Sequence, residues 1–180
     1  AKYGYLEDSL FSPRARLTIA PTESLRLSFG VARRAVAPGA EEFAFPLYSL
    51  DDAKRLRSRV LQLFEDASRK PELVSEGALT FVVVGAGATG VEIAGALAEL
   101  THDVMPHVYQ HLAIAGAKVI LVDLGPAVLG PFSDDAHSYA ASQLQRRGVQ
   151  LRLGVSVKEI AADHVSLSDG TTIPTHLTVW

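Results

Sequence analysis

At 180 residues the chain has the length of one domain, or of one domain with a fragment of another, and it can bury a core without staples. A formal net charge of -3 gives no polycationic surface, so nucleic acid is not expected as a partner. The absence of cysteine excludes disulfides, thiolate nucleophiles, a CxxC redox pair and thiolate-bound metal, so any redox chemistry must come from a bound cofactor.

Residues 1 to about 45 carry a weak signal, with Pro13, Pro21, Gly30, Pro38 and Gly39 interrupting short apolar stretches such as Leu17-Thr18-Ile19-Ala20. They read as an irregular segment with one or two short strands. A helix is predicted over 50–68. Ser49 is placed to cap the amide of Asp52, the Asp52 carboxylate to return the bond, and Leu56, Val60, Leu63, Phe64 and Ala67 form one apolar stripe. Pro71 should end it. Lys54, Arg55, Arg57 and Arg59 read as an ordinary solvated face, since Asp51, Asp52, Glu65 and Asp66 share the segment.

The run Leu79-Thr80-Phe81-Val82-Val83-Val84 is apolar without strict alternation, as a parallel strand covered on both faces requires. Directly after it stands Gly85-Ala86-Gly87-Ala88-Thr89-Gly90, which matches G-x-G-x-x-G and leads into a predicted helix over 89–100. In such a strand-loop-helix setting the first glycine permits a tight turn, the second lets pyrophosphate approach the backbone, and the third lets helix and strand pack closely. Diphosphate then sits on the unpaired amides of the helix N-terminus. Gly95 extends that close contact in this reading. Thr89 is a candidate to bond phosphate or to cap the helix. Glu92, read as lying in the first turn, is favoured there by the helix dipole; beside phosphates it must point elsewhere, for instance toward the nicotinamide ribose or amide.

A helical stretch restarting near Pro106 is expected within 101–116, followed by a buried strand over 118–122 that ends in Asp123. The Asp123 carboxylate is placed to accept bonds from the adenosine ribose hydroxyls, and its charge would repel a 2′-phosphate, so NAD is preferred over NADP. Its separation from Gly90 exceeds the roughly 20 residues of the usual fingerprint, which calls for an elongated helix or an insertion. Asp103, His107 and His111 share a four-residue spacing, but Pro106 interrupts them and no fourth ligand is indicated, so no metal site is assigned. Neither HExxH nor G-x-S-x-G occurs, which leaves hydrolase chemistry without support.

A further helix is predicted over 134–147, with Asp134 and Asp135 at its start and Gly148 at its end. The tail then changes period: a strand over 150–153, an antiparallel three-stranded excursion between about 155 and 174 with a turn at Ser168-Asp169-Gly170, and a last strand over 177–180. The fold expected is α/β, a Rossmann-like domain with a parallel core sheet, and 46–180 is the expected extent of the nucleotide-binding domain. No apolar run approaches a membrane span, so the isolated chain is expected to be soluble. A stop directly after a core strand suggests part of a larger protein.

Phe81 to Leu100, including the Gly90-Val91-Glu92 continuation, resembles the NADH-binding segment of type II NADH dehydrogenases, the single-subunit FAD-dependent NADH:quinone oxidoreductases. The resemblance continues through Val119 to Asp123, Gly148-Val149, Val165 to Gly170 and Thr178-Val179-Trp180, and upstream through Pro38 to Leu47. It implies the NAD domain of a two-dinucleotide-binding-domain flavoprotein. Gly85, Gly87 and Gly90 then correspond to the pyrophosphate loop, Glu92 to the glutamate near the nicotinamide end, and Asp123 to the ribose acid. A long segment before the second strand is tolerated in that family. The implied cofactors are NADH on this chain and FAD in the parent protein. The implied partners are an FAD domain or second subunit and a quinone, with a homo-oligomer as a further form, at the cytoplasmic side of a membrane. Residues 1–45 would be a remnant of the FAD domain, although an FAD glycine loop, a quinone pocket and an amphipathic anchor do not occur in the sequence. Thr22 also stands where the family's Leu-Val-Ile-Ala-x-Gly stretch has glycine. The alternatives are a soluble FAD-dependent reductase with another acceptor, or a non-catalytic nucleotide-binding module.

Overall fold

The computed structural model describes the backbone of residues 15–19 and 25–29 and, in full, residues 37–112 and 116–180. It divides into two compact units, Ala1–Ala35 and Val36–Trp180. In the first, β1 (Ala15–Ile19) and β2 (Leu25–Phe29) pair antiparallel, Ala15 opposite Phe29 and Ile19 opposite Leu25.

The second unit begins earlier than the boundary at residue 46 expected from the sequence. Its chain runs through a short helix α1 (Ala40–Phe43) into β3 (Ala44–Phe45), and β3 pairs with the last strand, so these residues belong to the main sheet. Two residues are too few for a periodicity, and only their partner makes them a strand.

Helix α2 (Leu50–Arg69) forms as its caps dictate. The Asp52 amide donates to Ser49 Oγ at 3.1 Å and the Ser49 amide donates back to Asp52 Oδ2 at 3.0 Å. Leu56, Val60, Leu63, Phe64 and Ala67 are all buried. Phe64 stacks on Tyr109, with ring centroids 5.8 Å apart. Arg69 ends the helix two residues before Pro71, which opens a short 3-10 turn, Pro71–Val74.

The remaining elements of the described chain are β4 (Thr80–Val84), α3 (Ala88–Glu99), a π-helical turn Leu100–Val104, α4 (Met105–Val108), β5 (Lys118–Asp123), α5 (Asp134–Arg146), β6 (Val149–Leu153), β7 (Val157–Ile160), β8 (His164–Leu167), β9 (Thr172–Pro174) and β10 (Leu177–Val179). The sheet order is β3-β10-β4-β5-β6, parallel throughout. Strands β7, β8 and β9 form the antiparallel excursion.

Three layers result from the two faces of the parallel strands. Phe81, Val83, Val119 and Leu121 point into the core shared with α2, α3 and α5. Their neighbours Val82, Ile120 and Val122 point the other way, against Ile160, Val165, Leu167 and Ile173 of the small sheet. Both faces are covered, which is why these strands read as unbroken apolar runs. From β4 the chain moves through α3 to β5 and β6 on one side, then returns through the small sheet to β10 on the other. The order therefore reverses at β4, and ligands of open α/β sheets bind beyond the carboxyl ends of strands at such a point. Among the described residues no helix is long and apolar enough to cross a membrane.

Ser49→Ala should lower stability by about 1 kcal/mol in urea denaturation at neutral pH, because Asp52 N–H loses its acceptor. The Arg55 side chain, then the Ser49 hydroxyl and the Tyr48 amide, hold the Asp52 carboxyl below the usual carboxylate range. A carboxyl depressed by folding contributes stability above its unfolded pKa and loses it as pH falls through the folded value. The gap between wild type and Asp52→Asn should therefore close on acidification below about pH 4; a gap constant with pH would reject the assignment.

Gly95 corrects one expectation. It faces Leu144 and Arg147 rather than the strand, and a Cβ there would lie 3.9 Å from Leu144 Cδ2, an ordinary contact. Alanine in a helix interior is favoured over glycine, so Gly95→Ala should stabilise by about 0.5–1 kcal/mol. A fall in Tm would show that α3 and α5 are closer than they stand here.

Candidate dinucleotide site

Residues 85–90 leave the end of β4 at the reversal point. Gly85 continues the ladder, its amide donating to Val122 O at 2.8 Å, and then turns with φ +105°, a conformation that side chains rarely tolerate. Gly87 is the N-cap of α3, and an added Cβ there would meet nothing within 4 Å. Gly90 is the opposite case: its Cβ would fall 1.7 Å from Gly85 O. The loop is thus packed tight beneath and left open above, the arrangement of a cradle for a group approaching the backbone.

No side chain caps α3. Thr89 lies inside its first turn, so the capping role considered for it does not hold. The amides of Ala88, Thr89 and Gly90, like those of any first helical turn, lack intrahelical acceptors. Because α3 starts at Ala88, the exposed Glu92 lies beyond the first turn, where the dipole favours an acid less than the sequence reading supposed.

Asp123, the last residue of β5, is brought directly to the loop. Its Oδ2 accepts from the Ala86 amide at 2.7 Å and its Oδ1 from the Gly125 amide at 2.6 Å. The long spacing from Gly90 is absorbed by the π-helical turn and α4, as the restart near Pro106 led one to expect. His111 is directed to Ser68 Oγ at 2.8 Å, and among the described residues no three His, Cys, Asp or Glu gather for a metal ion.

Sequence reasoning missed the loop over 124–133. Leu129 sits there with φ +55°, its amide donating to Ala86 O at 2.7 Å. Its carbonyl accepts from the Phe132 amide at 2.8 Å and lies 3.1 Å from His137 Nε2. Nothing in the residue types Leu or His signals this; a leucine with positive φ is visible only in coordinates.

A parallel sheet that reverses at β4, a glycine cradle beyond that strand and a carboxylate at the end of the next define a Rossmann-like dinucleotide-binding fold. The family model for pyridine nucleotide-disulphide oxidoreductases matches residues 22–180, and the chain belongs to that family. It is similar to the type II NADH:quinone oxidoreductase Ndh of Mycobacterium tuberculosis, at 43% identity over 134 residues, 72% of this chain and 29% of that protein. Among solved structures it shares the fold of NDH2 from Plasmodium falciparum in complex with NADH, with a TM-score of 0.75 at 17% identity over 80% of this chain and 31% of that one. A ferredoxin reductase from Rhodopseudomonas palustris matches with a TM-score of 0.60 at 27% identity, covering 82% of this chain and 31% of the other. The chain spans less than a third of the length of each.

Proposed function

We propose that this chain is the NADH-binding part of a type II NADH dehydrogenase, a flavoprotein that takes hydride from NADH onto FAD and passes electrons to a quinone. The observation that carries the reading is the cradle itself, closed below by the contact of Gly90 with Gly85 O and open above Gly87, with Asp123 at its side. NADH fits these residues. Gly85, Ala86, Gly87, Ala88, Thr89 and Gly90 hold the pyrophosphate on the loop and on the first amides of α3. Asp123 accepts the adenosine ribose hydroxyls, and Glu92 serves the nicotinamide end.

Bound NADH supplies a hydride equivalent, and FAD in the whole protein is the two-electron acceptor; no contact to FAD is assigned to the residues described. This chain's own work is to orient the dinucleotide, which requires no acid-base triad. A quinone acceptor places the whole protein at a membrane, with the NADH site on the cytoplasmic side. The Mycobacterium tuberculosis relative supports quinone as acceptor, and the ferredoxin reductase supports the alternative of a protein acceptor.

The purified whole protein should oxidise NADH with a short-chain quinone. Gly87→Ala, which puts a methyl group where pyrophosphate approaches, should raise KM for NADH by at least about tenfold with little change in Tm. Reduction of an iron-sulfur protein without reduction of quinone would favour the reductase, and an unchanged KM in Gly87→Ala would reject the cradle.

A further inference from the structure

Beyond the loop and the acid, the structure places a third component at the dinucleotide site. Both peptide planes flanking Ala86 are fixed: its amide by Asp123 Oδ2 at 2.7 Å, its carbonyl by the Leu129 amide at 2.7 Å. A trans peptide is planar, so its C=O and N–H point in opposite directions. The bond from Leu129 to Ala86 O therefore turns the Gly87 amide away from the 124–133 loop, and around Gly87 an added Cβ would meet nothing within 4 Å. That amide belongs to the residue where pyrophosphate is expected to approach most closely.

Leu129 makes this bond from a left-handed backbone conformation, φ +55°, the one such non-glycine residue among those described. Such a conformation persists where surrounding bonds hold it. Two are present on its carbonyl: the Phe132 amide at 2.8 Å, from within the loop, and His137 Nε2 at 3.1 Å, from α5. A carbonyl only accepts, so Nε2 carries the hydrogen. His137 stands near the start of α5 with its side chain 20% exposed, and its Nδ1 lies 3.5 Å from Asp134 Oδ1 on the same turn. The connection thus runs from α5 through Leu129 to the Ala86–Gly87 peptide.

We propose that His137 is a positioning residue for the dinucleotide: by gripping the Leu129 carbonyl it keeps the Ala86–Gly87 peptide turned so that the Gly87 amide faces the pyrophosphate. The proposal rests on the nucleotide-binding reading above. It concerns the phosphates, so it applies equally to NADH and to ADP-ribose, which lacks nicotinamide.

The test compares wild type, His137→Leu and His137→Gln by calorimetric titration with NADH and ADP-ribose, by Tm, and by the nuclear magnetic resonance signal of the Gly87 amide. Loss of the donor in His137→Leu should weaken both ligands about three- to tenfold at nearly unchanged Tm and shift the Gly87 amide before any ligand is added. Glutamine, whose Nε2 is again a donor, should recover most of the affinity. Unchanged affinities in His137→Leu, while Gly87→Ala is impaired, would overturn the positioning role and leave the nucleotide site standing. If wild type binds neither ligand, the nucleotide reading itself fails. The amide signal still decides the conformational claim, since an unmoved Gly87 resonance in His137→Leu overturns it independently of binding.

Discussion

Gly90→Ala should abolish dinucleotide binding and destabilise the second unit by about 1–3 kcal/mol, the usual range for overpacking a well-filled interior. The new Cβ would lie 1.7 Å from Gly85 O and 3.0 Å from Gly85 C, and both atoms are backbone. No rotamer can relieve such a contact, so α3 must lift from the end of β4. That movement takes the first helical amides away from the bend at Gly85, and the two halves of the cradle separate. Gly87→Ala provides the contrast, because its methyl group meets no protein atom within 4 Å. The prediction is therefore a split: loss of both stability and binding at 90, loss of binding alone at 87. Urea denaturation and NADH titration of the two variants check it. Equal stability loss at both positions would mean that the loop is packed on both sides and has no face open to a ligand.

Most of the parallel sheet was legible because burial on two faces leaves an unmistakable pattern. Thr80–Val84 and Lys118–Asp123 read as apolar runs because the helices take alternate residues and the small sheet takes the rest. Helix α2 announced itself through Ser49 and Asp52, whose reciprocal bonds are local and depend on nothing distant. The elements that escaped are those made by remote partners. Strand β3 exists because Thr178 and Val179 lie beside Ala44 and Phe45, a relation that no short window contains. The buried hydroxyl of Thr175, two residues before β10, likewise donates to Thr80 O and ties the chain ahead of β10 to β4, a contact equally remote in sequence. In the site, glycine spacing exposed Gly85 and Gly90 because a positive φ at the one and the closeness of Gly85 O at the other admit only glycine, whereas Gly87 meets no such demand from the protein and was singled out by the spacing alone. Leu129 and His137 act through a main-chain carbonyl and one ring nitrogen, and many residue types could occupy such positions without changing the pattern.

Asp123 was singled out as a ribose acceptor, and the structure adds a second task that alters what its removal should do. Its carboxylate takes the amides of Ala86 and Gly125, and Ala86 is only 2% exposed, so Asp123→Ala strands a buried donor. An unsatisfied buried donor costs about 1–3 kcal/mol, so the variant should be measurably less stable, unlike Gly87→Ala. A carboxylate can accept about four hydrogen bonds, so fastening the loop and receiving ribose hydroxyls are compatible roles. Losing a charge-assisted bond to ribose should weaken NADH about ten- to hundredfold. Loosening the loop would also weaken NADH, however, so the fall alone does not identify the ribose contact. NADPH separates the two. If Asp123 faces the ribose, its carboxylate repels the 2′-phosphate in wild type, and that repulsion disappears in Asp123→Ala. If Asp123 reads the ribose, NADH should fall much further than NADPH and the preference between them should narrow or reverse. If it only fastens Ala86 and Gly125, both nucleotides should lose the same factor. Calorimetric titration of both nucleotides against wild type and Asp123→Ala, below the variant's Tm, distinguishes these outcomes. A preserved NADH to NADPH ratio would remove Asp123 from the specificity of the site while keeping it in the architecture of the loop.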